Sequence, residues 1–120
     1  MHEFSIATRV VEIATVEIRM YPRAEVETIE LEVGTLSGVV LNALETAMEA
    51  AVKDTPFENS QIKINQIQAR GRCKDCKTEF KVDNLYDPCP SCNALGVLII
   101  SGKELKISSI TVQENEDKNS

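Results

Sequence analysis

Two cysteine pairs, Cys73-Lys74-Asp75-Cys76 and Cys89-Pro90-Ser91-Cys92, stand twelve residues apart and constrain this chain more than any other feature. A two-residue gap lets both sulfurs of a tight turn face one cation, and two such turns complete a tetrahedron with Zn–S bonds of about 2.3 Å. Four thiolates close the coordination sphere and leave no position for a substrate, so the pattern predicts a structural zinc held by Cys73, Cys76, Cys89 and Cys92. The backbone after the second cysteine of each pair needs a residue that tolerates positive φ; Asn93 does so readily and Lys77 less so. A thioredoxin-like redox site needs a single reactive pair opening a helix, which two pairs flanked by proline do not provide. Between Gly71 and Gly96 only Phe80, Val82, Leu85, Tyr86 and Leu95 are available for a local core. Metal binding, worth on the order of 10 to 16 kcal/mol in small zinc domains, must replace the missing burial.

Composition narrows the functional classes. The 120 residues fit one domain of ordinary size with a small appendage, and 42% hydrophobic content supports a core. Lys+Arg 13 against Asp+Glu 19 gives a net charge of -6, the wrong sign for a protein that lives on a phosphate backbone. Around the cysteines, Arg72, Lys74, Lys77 and Lys81 are balanced by Asp75, Glu79, Asp83 and Asp87. A zinc ribbon that binds nucleic acid, or one that serves as a protein-interaction module, is therefore the alternative reading, and no nucleic-acid partner is expected. No stretch approaches the roughly 20 apolar residues that span a bilayer. The start Met1-His2-Glu3 lacks the basic region and apolar run of a secretory signal, so no membrane insertion and a cytoplasmic location are expected. With neither a Ser/His/Asp set nor an open zinc position, no catalytic residue is assigned and the chain is not expected to be an enzyme.

Hydrophobic spacing sets the fold. From Glu3 to Met20 the residues Phe4, Ala7, Val11, Ala14 and Ile18 recur every three or four positions, widened by Ile6, Val10 and Ile13, which predicts an amphipathic helix closed by Pro22. Thr28 to Val33 alternate as a half-buried strand with Ile29, Leu31 and Val33 on one face. A turn over Gly34 to Gly38 precedes a second helix carrying Leu41, Leu44, Ala47, Met48, Ala51 and Val52, which ends before Thr55-Pro56. Ile62, Ile64 and Ile67 predict a strand with a phase slip at Asn65-Gln66. Leu98 and Ile100 then lead through Ser101-Gly102 to Leu105, Ile107, Ile110 and Val112, with a second slip at Ser108-Ser109. The expected fold class is α+β: two helices packed on a small three-stranded mixed sheet, with an inserted zinc-ribbon-like domain.

The single histidine sits at position 2. A lone histidine is ordinarily a surface or core residue, but here the terminal amine of Met1, the amide nitrogen of His2 and its imidazole lie in bonding sequence and can close adjacent chelate rings on one metal. Nitrogen-rich tetragonal coordination suits Ni²⁺ or Cu²⁺. Glu3 can complete the set through its amide or its carboxylate. The first N–H groups of a helix have no intrahelical acceptor, so spending them on a metal breaks no helix hydrogen bond. Binding requires neutral imidazole and deprotonated amides, so acid should weaken it as imidazole titrates near about 6.5.

The opening Met1-His2-Glu3-Phe4-Ser5, the segment Val33-Gly34-Thr35-Leu36-Ser37-Gly38, the cysteine spacing and the closing Gly102-Lys103-Glu104-Leu105 together resemble the HypA/HybF family of hydrogenase maturation nickel metallochaperones. The resemblance covers roughly residues 1 to 112. It implies that His2, with Glu3 and the Met1 amine, binds Ni²⁺ as transient cargo and that the four cysteines hold structural Zn²⁺. It implies a nickel-binding α/β domain of residues 1–70 plus 97–113, a zinc-binding insert of 71–96 and a disordered tail of 114–120. It further implies delivery of nickel to the large-subunit precursor of a [NiFe]-hydrogenase in concert with a HypB-type nickel-handling GTPase, with urease accessory proteins as further partners in some relatives. Where many members carry an acidic or other polar residue after the Ser-Gly, this chain has Val39-Val40-Leu41, which leaves Asn42 and Glu45 as the nearest polar candidates.

Overall fold

The structure, a computed structural model, describes residues 3–114. The elements run α1 (Glu3–Ile18), β1 (Ala24–Gly34), α2 (Leu41–Ala51), β2 (Gln61–Ile67), β3 (Arg70–Cys73), β4 (Glu79–Lys81), β5 (Val97–Ser101) and β6 (Leu105–Glu114). One three-stranded sheet has the order β2-β1-β6 and another the order β4-β3-β5. The class is α+β, as expected; among the described residues no helix is long and apolar enough to cross a membrane. Of the expected tail, residues 115–120 lie outside the described residues.

Within the described residues the chain divides into two compact units. One comprises the chain through Leu31, Val39–Ile64 and the chain from Ile107; the other comprises Glu32–Gly38 and Asn65–Lys106. In the first unit α1 and α2 pack against each other. The residues they bury are Ala7, Val10 and Ala14 on α1 and Leu44, Ala47 and Met48 on α2, with Val52 just beyond it. Alanines on both helices leave room for close approach, while Leu44 and Met48 each contribute about 1.5 to 3 kcal/mol through burial. The expected α1 stripe is narrower than its spacing suggested, because Phe4 and Ile13 are 58% and 40% exposed. Phe57, in the turns that follow α2, is fully buried and fell outside every periodic segment.

Alternation survives folding intact. Ile29, Leu31 and Val33 are buried along β1, which extends further toward the N-terminus than its strict alternation indicated. In β2 the half-buried positions are Ile62, Ile64 and Ile67, with two consecutive exposed residues at 65 and 66 where the phase slip was expected. The same break occurs at Ser108-Ser109 in β6.

The second unit holds a sheet that hydrophobic spacing did not reveal. β3 pairs antiparallel with β4 (Gly71 opposite Phe80) and with β5 (Gly71 opposite Ile99, Cys73 opposite Val97). β5, expected to continue into the helical domain, therefore belongs with the cysteine-bearing strands. Its small core consists of Ala69, Cys73, Phe80, Val82 and Cys89, with Leu36, Ala94, Val97 and Ile99 packed on it. Of the apolar residues expected here, Leu85, Tyr86 and Leu95 are instead 47%, 88% and 79% exposed.

Two glycines explain two of the sequence landmarks. The Gly34 N–H donates to the Glu104 carbonyl at 2.7 Å and the Leu36 N–H to the Gly102 carbonyl at 2.7 Å, so the segments containing Gly34 and Gly102 lie in direct backbone contact. A Cβ on Gly34 would stand 1.9 Å from the Gly102 oxygen. Gly102 itself has φ +106, and a Cβ there would meet Ala69 at 2.3 Å.

Candidate metal centre

Both C-x-x-C turns are built by the same backbone pattern. In the first, the Lys77 N–H donates to the Cys73 carbonyl at 3.0 Å and the Cys73 N–H to the Thr78 carbonyl at 2.9 Å. In the second, the Asn93 N–H donates to the Cys89 carbonyl at 2.7 Å and the Cys89 N–H to the Ala94 carbonyl at 2.9 Å. Closing each turn requires the residue after the second cysteine to adopt left-handed backbone, and Lys77 (φ 66) and Asn93 (φ 65) both do. Asn93 accepts this conformation at little cost, whereas Lys77 is held there against its preference by the turn's hydrogen bonds.

The two turns bring four sulfurs together. Cys73 and Cys92 Sγ lie 3.5 Å apart, Cys76 and Cys89 Sγ 3.6 Å apart, and all four ligand atoms fall within 4.8 Å of one another. A tetrahedron with 2.3 Å metal–sulfur bonds has edges of about 3.8 Å, close to the two shorter separations. Backbone donors already face the sulfurs: the Cys76 N–H points to Cys73 Sγ at 3.5 Å and the Ser91 N–H to Cys89 Sγ at 3.4 Å. This is a four-cysteine metal-binding site whose donors are consistent with zinc.

Electrostatics inside the cage favour a cation. The Thr78 hydroxyl, 3.2 Å from Cys76 Sγ, and then the Thr78 backbone hold the Cys76 thiol down to about 6. Cys92 receives a backbone bond from Ala94 that lowers it, yet the adjacent Cys73 sulfur and burial outweigh that bond and the thiol is pushed up to about 12. Thiolates gathered this closely repel one another, and a bound cation offsets that repulsion. Around the cage, Asp87 Oδ2 accepts from the N–H groups of Asp83 and Asn84 at 2.9 and 3.0 Å, which holds its carboxyl below the usual value and fixes the turn leading to Cys89.

Of the expected nickel-binding residues, Met1 and His2 lie outside the described residues. Glu3 opens α1, and its Oε2 accepts a hydrogen bond from the Val40 N–H at 3.0 Å. Val40 is the N-cap of α2 and has no side-chain capping bond of its own, so the Glu3 carboxylate supplies negative charge at that helix end. Glu3, expected as a metal donor, has this second role that the sequence does not signal, because nothing in the chain's periodicity pairs residue 3 with residue 40. Thr78 was also missed; a hydroxyl two residues beyond a knuckle cysteine is the signal that could have identified it.

Comparison with known proteins agrees with this picture. The family model described as HypA, hydrogenase/urease nickel incorporation, metallochaperone, matches residues 1–112. The chain is 43% identical to the hydrogenase maturation factor HypA of Geotalea uraniireducens (strain Rf4), covering 94% of this chain and 100% of that protein. It is 40% identical to the HypA of Parabacteroides distasonis, over 95% of this chain and 99% of that one. The fold resembles the solution structure of the Ni metallochaperone HypA from Helicobacter pylori (TM-score 0.66, 22% identity, 96% of this chain and 100% of that one). It also resembles a second solution structure of a HypA protein (TM-score 0.71, 21% identity, 96% and 98%). With the family model spanning nearly the whole length and such relatives matched end to end, this chain belongs to the HypA family of nickel-incorporation metallochaperones.

Proposed function

We propose that this protein binds Ni²⁺ at its N-terminus and delivers it to the large-subunit precursor of a [NiFe]-hydrogenase, acting in the cytoplasm as a carrier and not as an enzyme. The observation that carries this reading is the Met1-His2-Glu3 opening in a chain of a nickel-incorporation family. The Met1 amine, the His2 amide and imidazole, and Glu3 form the donor set. Glu3 contributes through its amide or its carboxylate, one oxygen of which accepts the Val40 N–H. Cys73, Cys76, Cys89 and Cys92 hold a resident Zn²⁺ that keeps their segment folded. A HypB-type nickel-handling GTPase and the hydrogenase precursor are the partners, and urease maturation is a second destination.

Such a carrier needs donors tight enough to retain nickel yet open enough to exchange it, and a chain terminus satisfies both demands better than a closed cage. The test is nickel titration of the untagged protein beside His2→Ala and an N-terminally extended form, followed by absorption spectroscopy. Both changes are expected to abolish one equivalent of nickel and leave zinc content intact. Stoichiometric nickel retained by either, with an unchanged planar-nitrogen spectrum, overturns the assignment.

A further inference from the structure

The four sulfurs of the cage are not equivalent. Cys73 and Cys89, the first cysteine of each turn, are fully buried among Ala69, Phe80 and Val82, and each accepts a backbone N–H. Cys76 and Cys92, the second of each, are exposed. The asymmetry follows from the turn itself. The first cysteine has its N–H and its carbonyl tied into the knuckle, while the second sits on the outer bend.

The exposed pair is asymmetric in turn. Both sulfurs receive a backbone bond from two residues on, but Thr78 adds a hydroxyl 3.2 Å from Cys76 Sγ, whereas Ala94 offers Cys92 its backbone alone. In the protonated cage the Cys76 thiol donates to the Thr78 hydroxyl, but a metal-bound thiolate has no proton, so there the hydroxyl donates, withdraws charge from the sulfur and fixes its rotamer, which makes it less reactive toward protons and electrophiles. A metal–sulfur bond opens most easily where the departing sulfur meets solvent and has the fewest donors restraining it.

Resting on the zinc assignment proposed above, we propose that zinc exchanges through the Cys76–Cys92 edge, that Cys92 is the first sulfur to release the ion, and that Thr78 is a positioning residue that keeps Cys76 on it. Cys73 and Cys89 form the anchored half, which stays on the metal until last. Placing exchange on one edge gives a competing ligand a single face of the cage to attack.

The experiment uses the full-length, zinc-loaded protein, with zinc stoichiometry measured first. Zinc transfer to an excess of the chromogenic chelator 4-(2-pyridylazo)resorcinol is timed, and sub-stoichiometric N-ethylmaleimide labelling is mapped by mass spectrometry. Cys92 is expected to be labelled first, Cys76 next, and Cys73 and Cys89 last. Thr78→Val should speed zinc release about tenfold, the scale of losing an outer-shell partner, and bring Cys76 labelling up to that of Cys92. Thr78→Ser should restore the original rate, and Ala94→Ser should slow release and protect Cys92. Labelling of Cys73 or Cys89 as early as the exposed pair, or an unchanged release rate in Thr78→Val, overturns the proposal. Wild-type protein without stoichiometric zinc instead overturns the zinc assignment itself, and the exchange edge with it.

Discussion

The carboxylate of Glu3 accepts the backbone N–H of Val40 at 3.0 Å, joining the start of α1 to the start of α2 across 37 residues of sequence. Val40 has extended backbone (φ -87, ψ 116), and Ala43, three residues on, has no side chain to reach back to its N–H, so a carboxylate from another helix takes the place that Glu or Gln holds in a capping box. The link ties Glu3, itself a member of the proposed nickel donor set, to the start of a packed helix.

Replacing Glu3 by Ala should therefore destabilise the protein by about 1 kcal/mol, the worth of a cap with partial charge stabilisation. Glu3→Gln keeps an acceptor oxygen and should lose less than half of that. Urea unfolding of the two variants, with amide exchange followed at Val40 and Leu41, measures the difference. Equal losses in both would show that the charge and not the hydrogen bond carries the effect.

Removing metal should act unevenly. The second unit relies on a core of few side chains, two of which are the cysteines Cys73 and Cys89 themselves. Chelation is expected to strip amide protection from β3, β4 and β5 while α1 and α2, which bury Leu44 and Met48, retain theirs. Hydrogen exchange with and without chelator reads this directly, and uniform loss in both units would refute it.

Gly34→Ala should cost more than an ordinary glycine substitution. Its Cβ would collide with the Gly102 carbonyl, a backbone atom held by the Leu36 N–H, so neither side can yield without breaking that bond. A loss of about 1 to 3 kcal/mol is expected, the range for overpacking, seen as a lower melting temperature than that of the unsubstituted protein.

Phe57→Ala should destabilise by about 3 to 5 kcal/mol, because the ring is fully buried and its removal leaves a cavity. Phe57→Leu should recover more than half. Denaturant unfolding checks both, and a loss under about 1 kcal/mol would mean that the site collapses around the smaller residue.

Much of this protein is decided by local pattern. Alternation at Ile29, Leu31 and Val33, the slips at 65–66 and 108–109, and the spacing of Leu44 and Met48 survive folding because burying one face of a strand or helix fixes its register. The cysteine spacing likewise specifies a cage, since a two-residue gap leaves the sulfurs of a tight turn little choice but to converge. Other features depend on residues meeting across long stretches of chain. The pairing of β3 with both β4 and β5, the burial of Phe57, the exposure of Phe4 and Leu95, the contact of Gly34 with Gly102 and the bond from Val40 to Glu3 have no periodic signature. Periodicity reports which face of an element is apolar; which surface covers that face, and which distant donor reaches a free acceptor, is settled only when the chain closes on itself.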